Sequence, residues 1–66
     1  MVISVITDYS PEMAERLRAA LSGVAKLQNT VCYSHHQEHS YWVERARLKE
    51  ALARVRLLGL KCSATG

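Results

Sequence analysis

Residues 40–58 read SYWVERARLKEALARVRLL, and the secondary structure of this stretch decides the fold of the chain. Its apolar residues recur at helical spacing, and Gly59 follows as a natural stop. Ser34 and Ser40 are both suitable N-caps, so the start of the helix stays open between them. The pattern predicts one long C-terminal helix that runs to Leu58.

On a helical wheel, residues 41–58 carry two apolar stripes on roughly opposite sides. The first stripe consists of Tyr41, Leu48, Ala51, Leu52, Val55 and Leu58, and the second of Trp42, Ala46, Ala53 and Leu57, with Val43 at its margin. A surface helix of a monomer needs one stripe, and a chain of 66 residues has little left to cover another. We therefore expect a partner to cover the second stripe, with Trp42 as its anchor. The alternative is that Trp42 packs in the core against the first helix.

Charged side chains fill the two seams between these stripes. Arg45, Lys49 and Arg56 form a basic seam, whereas Arg47, Glu50 and Arg54 form a mixed seam. A row of basic side chains along a helix fits the phosphates of a nucleic acid. The alternative is a solvated surface in which Glu44 and Glu50 pair with neighbouring basic residues.

The first half of the chain alternates between strand and helix patterns. Residues 2–7, VISVIT, predict a strand that is buried on both faces. Ser10 as N-cap, Pro11 at the first helical position and Gly23 as a stop predict a helix between them. Residues 27–33 favour a second strand.

This order of elements places the chain in the α/β or α+β class, as one small domain of residues 1–66. We expect a single-layer βαβα unit with a long C-terminal helix. The tail, residues 60–66, either adds a short third strand or frays. Alternating strands and helices also predict a parallel pair of strands joined by a right-handed crossover.

Residues 2–23, VISVITDYSPEMAERLRAALSG, resemble the opening strand and helix of response-regulator receiver domains. They are also similar to the opening of ribbon-helix-helix DNA-binding proteins. Only Asp8 stands where a receiver domain has an acidic cluster, and Ser4 is nearly alone where a ribbon strand presents several polar side chains. Each resemblance covers about a third of the chain, and neither assigns a functional residue to it.

The composition excludes several classes of protein. Apolar residues make up 48% of the chain, which argues against disorder, and no apolar run approaches the roughly 20 residues of a membrane span. The first ten residues lack the basic and apolar regions of a signal peptide. Two cysteines are too few for a disulfide framework. We therefore expect a cytoplasmic protein with reduced thiols, no membrane partner and no cofactor.

All three histidines fall in residues 32–39, CYSHHQEH. His35, Glu38 and His39 match the H-x-x-E-H spacing of a zinc peptidase, but a small chain with few acids offers neither a cleft nor a clear third ligand. A structural metal site formed by Cys32, His35 (or His36), His39 and Cys62 is a weaker hypothesis. The favoured interpretation is a solvated, histidine-rich junction before the long helix, with no bound metal.

These patterns predict a non-enzymatic regulator or inhibitor that acts by protein–protein interaction, as a homodimer. Compact genomes such as those of phages encode products of this kind. The predicted contact surface consists of Trp42, Ala46, Ala53 and Leu57 with the basic seam Arg45, Lys49 and Arg56. The alternative is a small DNA- or RNA-binding regulator that uses the basic seam, and a zinc-stabilised module is a third, weaker hypothesis.

Overall fold

The computed structural model describes residues 1–65. The elements in chain order are β1 (Val2–Thr7), α1 (Pro11–Leu21), β2 (Ala25–Cys32), β3 (Gln37–Val43), a 3-10 turn (Arg45–Arg47), α2 (Leu48–Leu57) and β4 (Lys61–Thr65). The described chain is therefore a small α+β protein, with four strands and two helices.

The four strands form one open sheet in the order β2-β3-β1-β4, and every neighbouring pair is antiparallel. The β-α-β-β-α-β element order with β1 and β3 in the centre is the ferredoxin-like, or split βαβ, arrangement. At one end of the paired strands β1 and β4, Val2 lies directly opposite Thr65. Because this arrangement hosts many unrelated functions, it says nothing by itself about what the chain does.

The core lies between one face of the sheet and the two helices. Side chains that alternate along the central strands point into it, with Ile3 and Val5 from β1 and Tyr41 and Val43 from β3. Leu17 and Leu21 of α1 and Ala51 and Val55 of α2 complete the buried cluster. Both helices therefore cover the same face of the sheet, and the opposite face has no covering layer in the described chain.

The predicted start of the first helix is confirmed. The backbone N–H of Met13 donates to the side chain of Ser10 at 3.2 Å, and Pro11 occupies the first helical position, where its missing N–H costs nothing. Gly23 follows the helix with a positive φ of 77°, which glycine adopts without steric strain.

The predicted long C-terminal helix is wrong. Residues Gln37–Val43 form strand β3, and α2 begins only at Leu48 after the 3-10 turn. His39, Tyr41 and Val43 are buried while Trp42 is exposed, which is the period of two that a strand has and a helix lacks. Tyr41 and Trp42 fell on opposite stripes because consecutive residues of a strand point to opposite faces, whereas Ala53 and Leu57 of the second stripe lie on α2.

The predicted βαβα unit is also wrong, although β1 and β2 do run parallel to each other and are joined through α1. The β3 strand follows β2 as an antiparallel hairpin, so it separates β1 from β2 in the sheet. The β1 strand is buried on one face only, since Ile6 is 43% exposed, because the helices cover a single face. An antiparallel sheet of this order differs from both families that residues 2–23 resemble at the sequence level.

The tail contributes the fourth strand of the sheet. Lys61–Thr65 pairs with β1 as β4, and Cys62 packs against the core. Gly66, the last residue of the expected tail, lies outside the described residues. Among those residues, no helix has the length and the apolar character needed to cross a membrane.

Candidate functional site

The uncovered face of the sheet is one candidate surface. It is formed by the residues that alternate with the core positions, and three of its large apolar side chains are well exposed. These are Val31 at 39%, Ile6 at 43% and Trp42 at 44%. Exposed apolar side chains on a sheet face without a covering layer are typical of contact surfaces, although here polar side chains separate them.

Strand register fixes which side chains of this face are neighbours. Ile6 lies between Glu38 on β3 and Lys61 on β4. One row further along β1, Ser4 lies between Ser40 and Ser63. The face thus combines an acidic and a basic side chain on opposite sides of Ile6, followed by a row of small hydroxyl groups that adds little bulk.

Trp42 stands at the other end of this face, where Val2 and Lys26 are its cross-strand partners. A shallow cavity of about 230 Å³ adjoins it and is also lined by Glu44 and Arg47. The indole is therefore a wall of an open depression at the end of the sheet.

The predicted contact surface is split between the two sides of the molecule. Trp42 lies on the uncovered sheet face, whereas Ala46 is exposed on the 3-10 turn and Ala53 and Leu57 are exposed on α2. Leu57 is 87% exposed. The four apolar residues of the second stripe therefore do not form one continuous surface, because the stripe joined a strand residue to helix residues.

The mixed seam binds α2 to the end of α1. Arg47 and Arg54 both form ion pairs with Glu50, at 3.0 and 3.3 Å. Arg54 also donates to the carbonyl oxygen of Ala20 at 2.9 Å, and Arg47 donates to that of Gly23 at 2.7 Å. These carbonyls lie where a helix end leaves its acceptors unpaired, so the arginines cap α1 from outside.

The basic seam is arranged differently. Arg45, Lys49 and Arg56 are exposed, and none of the three makes an ion pair or a side-chain hydrogen bond with a described residue. Lys49 and Arg56 are two turns apart on the same side of α2, and Arg45 precedes them on the 3-10 turn. Three cations therefore point to solvent from one side of the α2 segment.

His39 is buried and holds three strands together. Its Nε2 lies 2.8 Å from the hydroxyl of Thr7 on β1, and its Nδ1 lies 3.1 Å from the hydroxyl of Thr30 on β2. Burial lowers the pKa of His39, so the ring is neutral near pH 7, with one nitrogen donating and the other accepting. With both nitrogens engaged, the ring is unavailable as a metal ligand.

The four candidate metal ligands are not brought together. Cys32 lies on edge strand β2 and Cys62 on the opposite edge strand β4, three strand spacings or about 14 Å apart. His35 is exposed in the β2–β3 turn, and His39 points into the core. In the described part of the chain, no three His, Cys, Asp or Glu side chains are placed to hold a metal ion. The hypothesis that these residues converge is therefore wrong, and the same separation prevents a disulfide between the two cysteines.

A groove of about 310 Å³ lies between α1 and β2, on the helix side of the sheet. His39 and Tyr41 form its floor, and Glu15 and Arg18 of α1 stand at its margin. The sequence patterns missed this groove because it depends on β3 being a strand. The available signal in the sequence was that the polar residues Glu38 and Ser40 alternate with His39 and Tyr41.

Comparisons of this chain with protein families, with curated proteins and with solved structures find no significant match.

Proposed function

We propose that this protein is a non-enzymatic binding module, of the class that includes regulators and inhibitors, and that it forms a homodimer through the uncovered face of its sheet. The observation that carries the proposal is the exposure of Ile6 and Trp42 on the one face that the helices leave bare. A chain of 66 residues has a marginal core, and association with a second copy is a common way to supplement one.

A second copy of the chain is the occupant because the charges of the face complement themselves. A two-fold axis parallel to β1 places Ile6 against its own copy and brings Glu38 of each chain opposite Lys61 of the other. The serine row around Ser4 lets the two sheets approach closely there. Both ion pairs form with the same geometry, as an isologous contact requires.

The size of the face sets the expected strength of the dimer. With the axis over β1, three strands of each chain overlap with the partner, and they cover about 14 by 20 Å, or roughly 280 Å² for each chain. This area is about a third of the roughly 800 Å² that each partner contributes to a standard interface. We therefore expect a reversible dimer whose population depends on protein concentration.

Sedimentation velocity over a range of protein concentrations tests the proposal. Ile6→Arg places two like charges on the axis and should leave a monomer at every concentration. Leu57→Arg, on the exposed side of α2, is the matched control and should not change the monomer–dimer equilibrium.

A charge exchange separates the proposed pairing from a general apolar contact. Glu38→Lys and Lys61→Glu should each weaken the dimer, and the double variant should restore it. A wild-type monomer at all concentrations contradicts the proposal, as does a dimer that Leu57→Arg dissociates and Ile6→Arg does not.

The basic seam supports a second candidate function, the binding of DNA or RNA. The specific observation is that Arg45, Lys49 and Arg56 are unpaired among the described residues, whereas Arg47 and Arg54 are held by Glu50. Phosphate contacts are strongest at low salt, so an electrophoretic shift in dilute buffer is the test. Replacing the three seam residues with glutamine should abolish a shift that Arg16→Gln leaves intact, and no shift at low salt rejects this function.

A further inference from the structure

The groove between α1 and β2 exists because the helix layer does not extend over the edge strand. Leu27 on the inner side of β2 is 43% exposed although it points to the same side of the sheet as the core residue Tyr41, its cross-strand partner. The opening between Leu27 and Ala14 of α1 has a volume of about 310 Å³. That volume is at the lower end of the range for small-molecule sites, which starts near 300 Å³.

The hydroxyl of Tyr41 is a polar group on the floor of the groove that no described residue engages. Both nitrogens of His39 are already engaged by threonine hydroxyls, so the imidazole adds no charge and no open hydrogen-bonding position. Tyr41 is only 3% exposed, and its hydroxyl has no hydrogen-bond partner in the described chain. Because no buried polar side-chain atom is left without a partner, the hydroxyl must reach the open space of the groove.

Two opposite charges stand together at the mouth. Glu15 and Arg18 lie one turn apart on α1, both line the groove, and they form an ion pair with each other. Their side chains are 68% and 66% exposed, so their pairing is weak and a ligand can replace it. Arg18 is also close enough to act on the phenol below it: burial raises the pKa of Tyr41, and the Arg18 charge opposes that shift.

We infer that this groove binds a small zwitterion with an apolar body, the chemistry of a free α-amino acid with an aliphatic side chain. Its carboxylate contacts Arg18 and accepts the hydrogen bond of Tyr41, and its ammonium group contacts Glu15. Its side chain packs between Leu27 and Ala14. An anion alone would meet Glu15 unfavourably, and a cation alone would meet Arg18, so only a molecule with both charges uses the whole mouth.

The inference goes beyond the proposed dimer, because the groove is on the helix side of the sheet and the dimer face is on the other. Its failure is therefore distinguishable from failure of the proposed function: ligand binding is measured on the groove, and association on the opposite face. Ile6→Arg should leave ligand binding unchanged.

Titration of the ¹⁵N-labelled protein with L-leucine, followed by amide chemical shifts, tests the inference. Saturable shifts should appear at residues 14–18 of α1 and 27–30 of β2. Two analogues each remove one charge: 4-methylpentanoate lacks the ammonium group and 3-methylbutylamine lacks the carboxylate. Each should bind about tenfold more weakly than leucine, as expected for the loss of a hydrogen bond to a charged group.

Matched variants assign the two charges. Arg18→Gln and Glu15→Gln should each weaken leucine binding by about tenfold, whereas Arg16→Gln and Glu12→Gln, which alter the other exposed ion pair of the same helix, should not. All four changes are at exposed positions, and a melting curve for each verifies folding. The absence of saturable shifts up to the solubility of leucine overturns the inference. Equal binding of leucine and 4-methylpentanoate also overturns it, because it identifies a simple anion site.

Discussion

His39 owes its role to strand register. It lies opposite Val5 on β1 and Thr30 on β2, and that position turns its ring into the core between two hydroxyl groups. His35, four residues earlier, is exposed in the β2–β3 turn. Two side chains of the same type in one short segment therefore have unrelated environments, and only one of them contributes to the cohesion of the sheet.

Protonation of His39 should make stability depend on pH. The unfolded chain takes up a proton at this ring near pH 6.5, whereas burial keeps it neutral to lower pH in the folded protein. The stability contribution is complete above pH 6.5 and is lost as the pH falls toward the folded-state pKa, because the unfolded state binds more protons in that window. The free energy of unfolding, measured by urea denaturation, should therefore fall as the pH is lowered from about 7.5 to about 5.5. The decrease should be no more than about 1.4 kcal/mol per pH unit.

Two variants verify that His39 causes this slope. His39→Gln does not titrate and should flatten the pH dependence above the range in which carboxylates protonate. His35→Gln should leave it as in the wild type. If His39→Gln retains the full slope, another group is responsible.

The glycines that follow the two helices should resist substitution. Gly23 and Gly59 have φ values of 77° and 75°, and an added Cβ would meet nothing within 4 Å at either position. The cost of Ala is therefore backbone strain alone, about 1 kcal/mol at each site. Asn tolerates this conformation better, so Gly23→Asn should cost less than Gly23→Ala in urea unfolding. Equal stability of wild type and Gly23→Ala would contradict the conformational argument.

At the scale of elements, local signals predicted what local interactions determine. Residues 2–11 predict the β1 strand and the capped start of α1. The spacing of Ala51 and Val55 predicts which side of α2 faces the core. The β3 strand was missed because its pairing with β1 joins residues 30 to 40 positions apart. Its outward residues Glu38 and Ser40 are polar, so no continuous apolar run marked it.

The same error displaced the candidate sites. Trp42 is exposed on β3, and its assignment to a helix wrongly joined it to Leu57, which lies on α2. The groove at His39 and Tyr41 was not predicted, since its walls come from three elements that meet only in the folded chain. The pairing of Glu50 with basic neighbours, in contrast, was readable from helical spacing and is confirmed.

Adjacent aromatic residues of β3 should differ sharply in their effect on stability. Tyr41 is 3% exposed and Trp42 is 44% exposed, because they point to opposite faces of the strand. Tyr41→Ala should cost about 3 kcal/mol or more, as other large-to-small changes in a core do. Trp42→Ala should cost less than about 1 kcal/mol in the monomer at low protein concentration. Chemical denaturation of both variants measures the difference, and similar losses would mean that Trp42 is part of the core.

For the molecule as a whole, size limits stability. By the usual figure per residue, a chain of 66 residues has roughly 3–10 kcal/mol, so an association worth a few kcal/mol is a large part of the total. The uncovered sheet face is the surface where such an association would supplement the core without changing it. The helix side then stays free for other contacts.

A homodimer predicts that the melting temperature rises with protein concentration. Because only folded chains associate, mass action stabilises the folded state as the concentration increases above the dissociation constant. Ile6→Arg should remove this dependence, and Leu57→Arg should preserve it. Calorimetry at several protein concentrations measures this dependence. A wild-type melting temperature that stays constant over roughly a hundredfold range of protein concentration contradicts dimerisation in that range.

The pairing of Val2 with Thr65 has a practical consequence for engineering. Paired residues of neighbouring strands have Cα atoms about 5 Å apart, so the first and last strands reach the same rim of the sheet. A linker of a few residues can therefore join them, and new ends can be opened in the exposed turn around His35. Such a circular permutant keeps every strand neighbour, and it would place a fused reporter beside the β2–β3 turn instead of beside the β1–β4 edge.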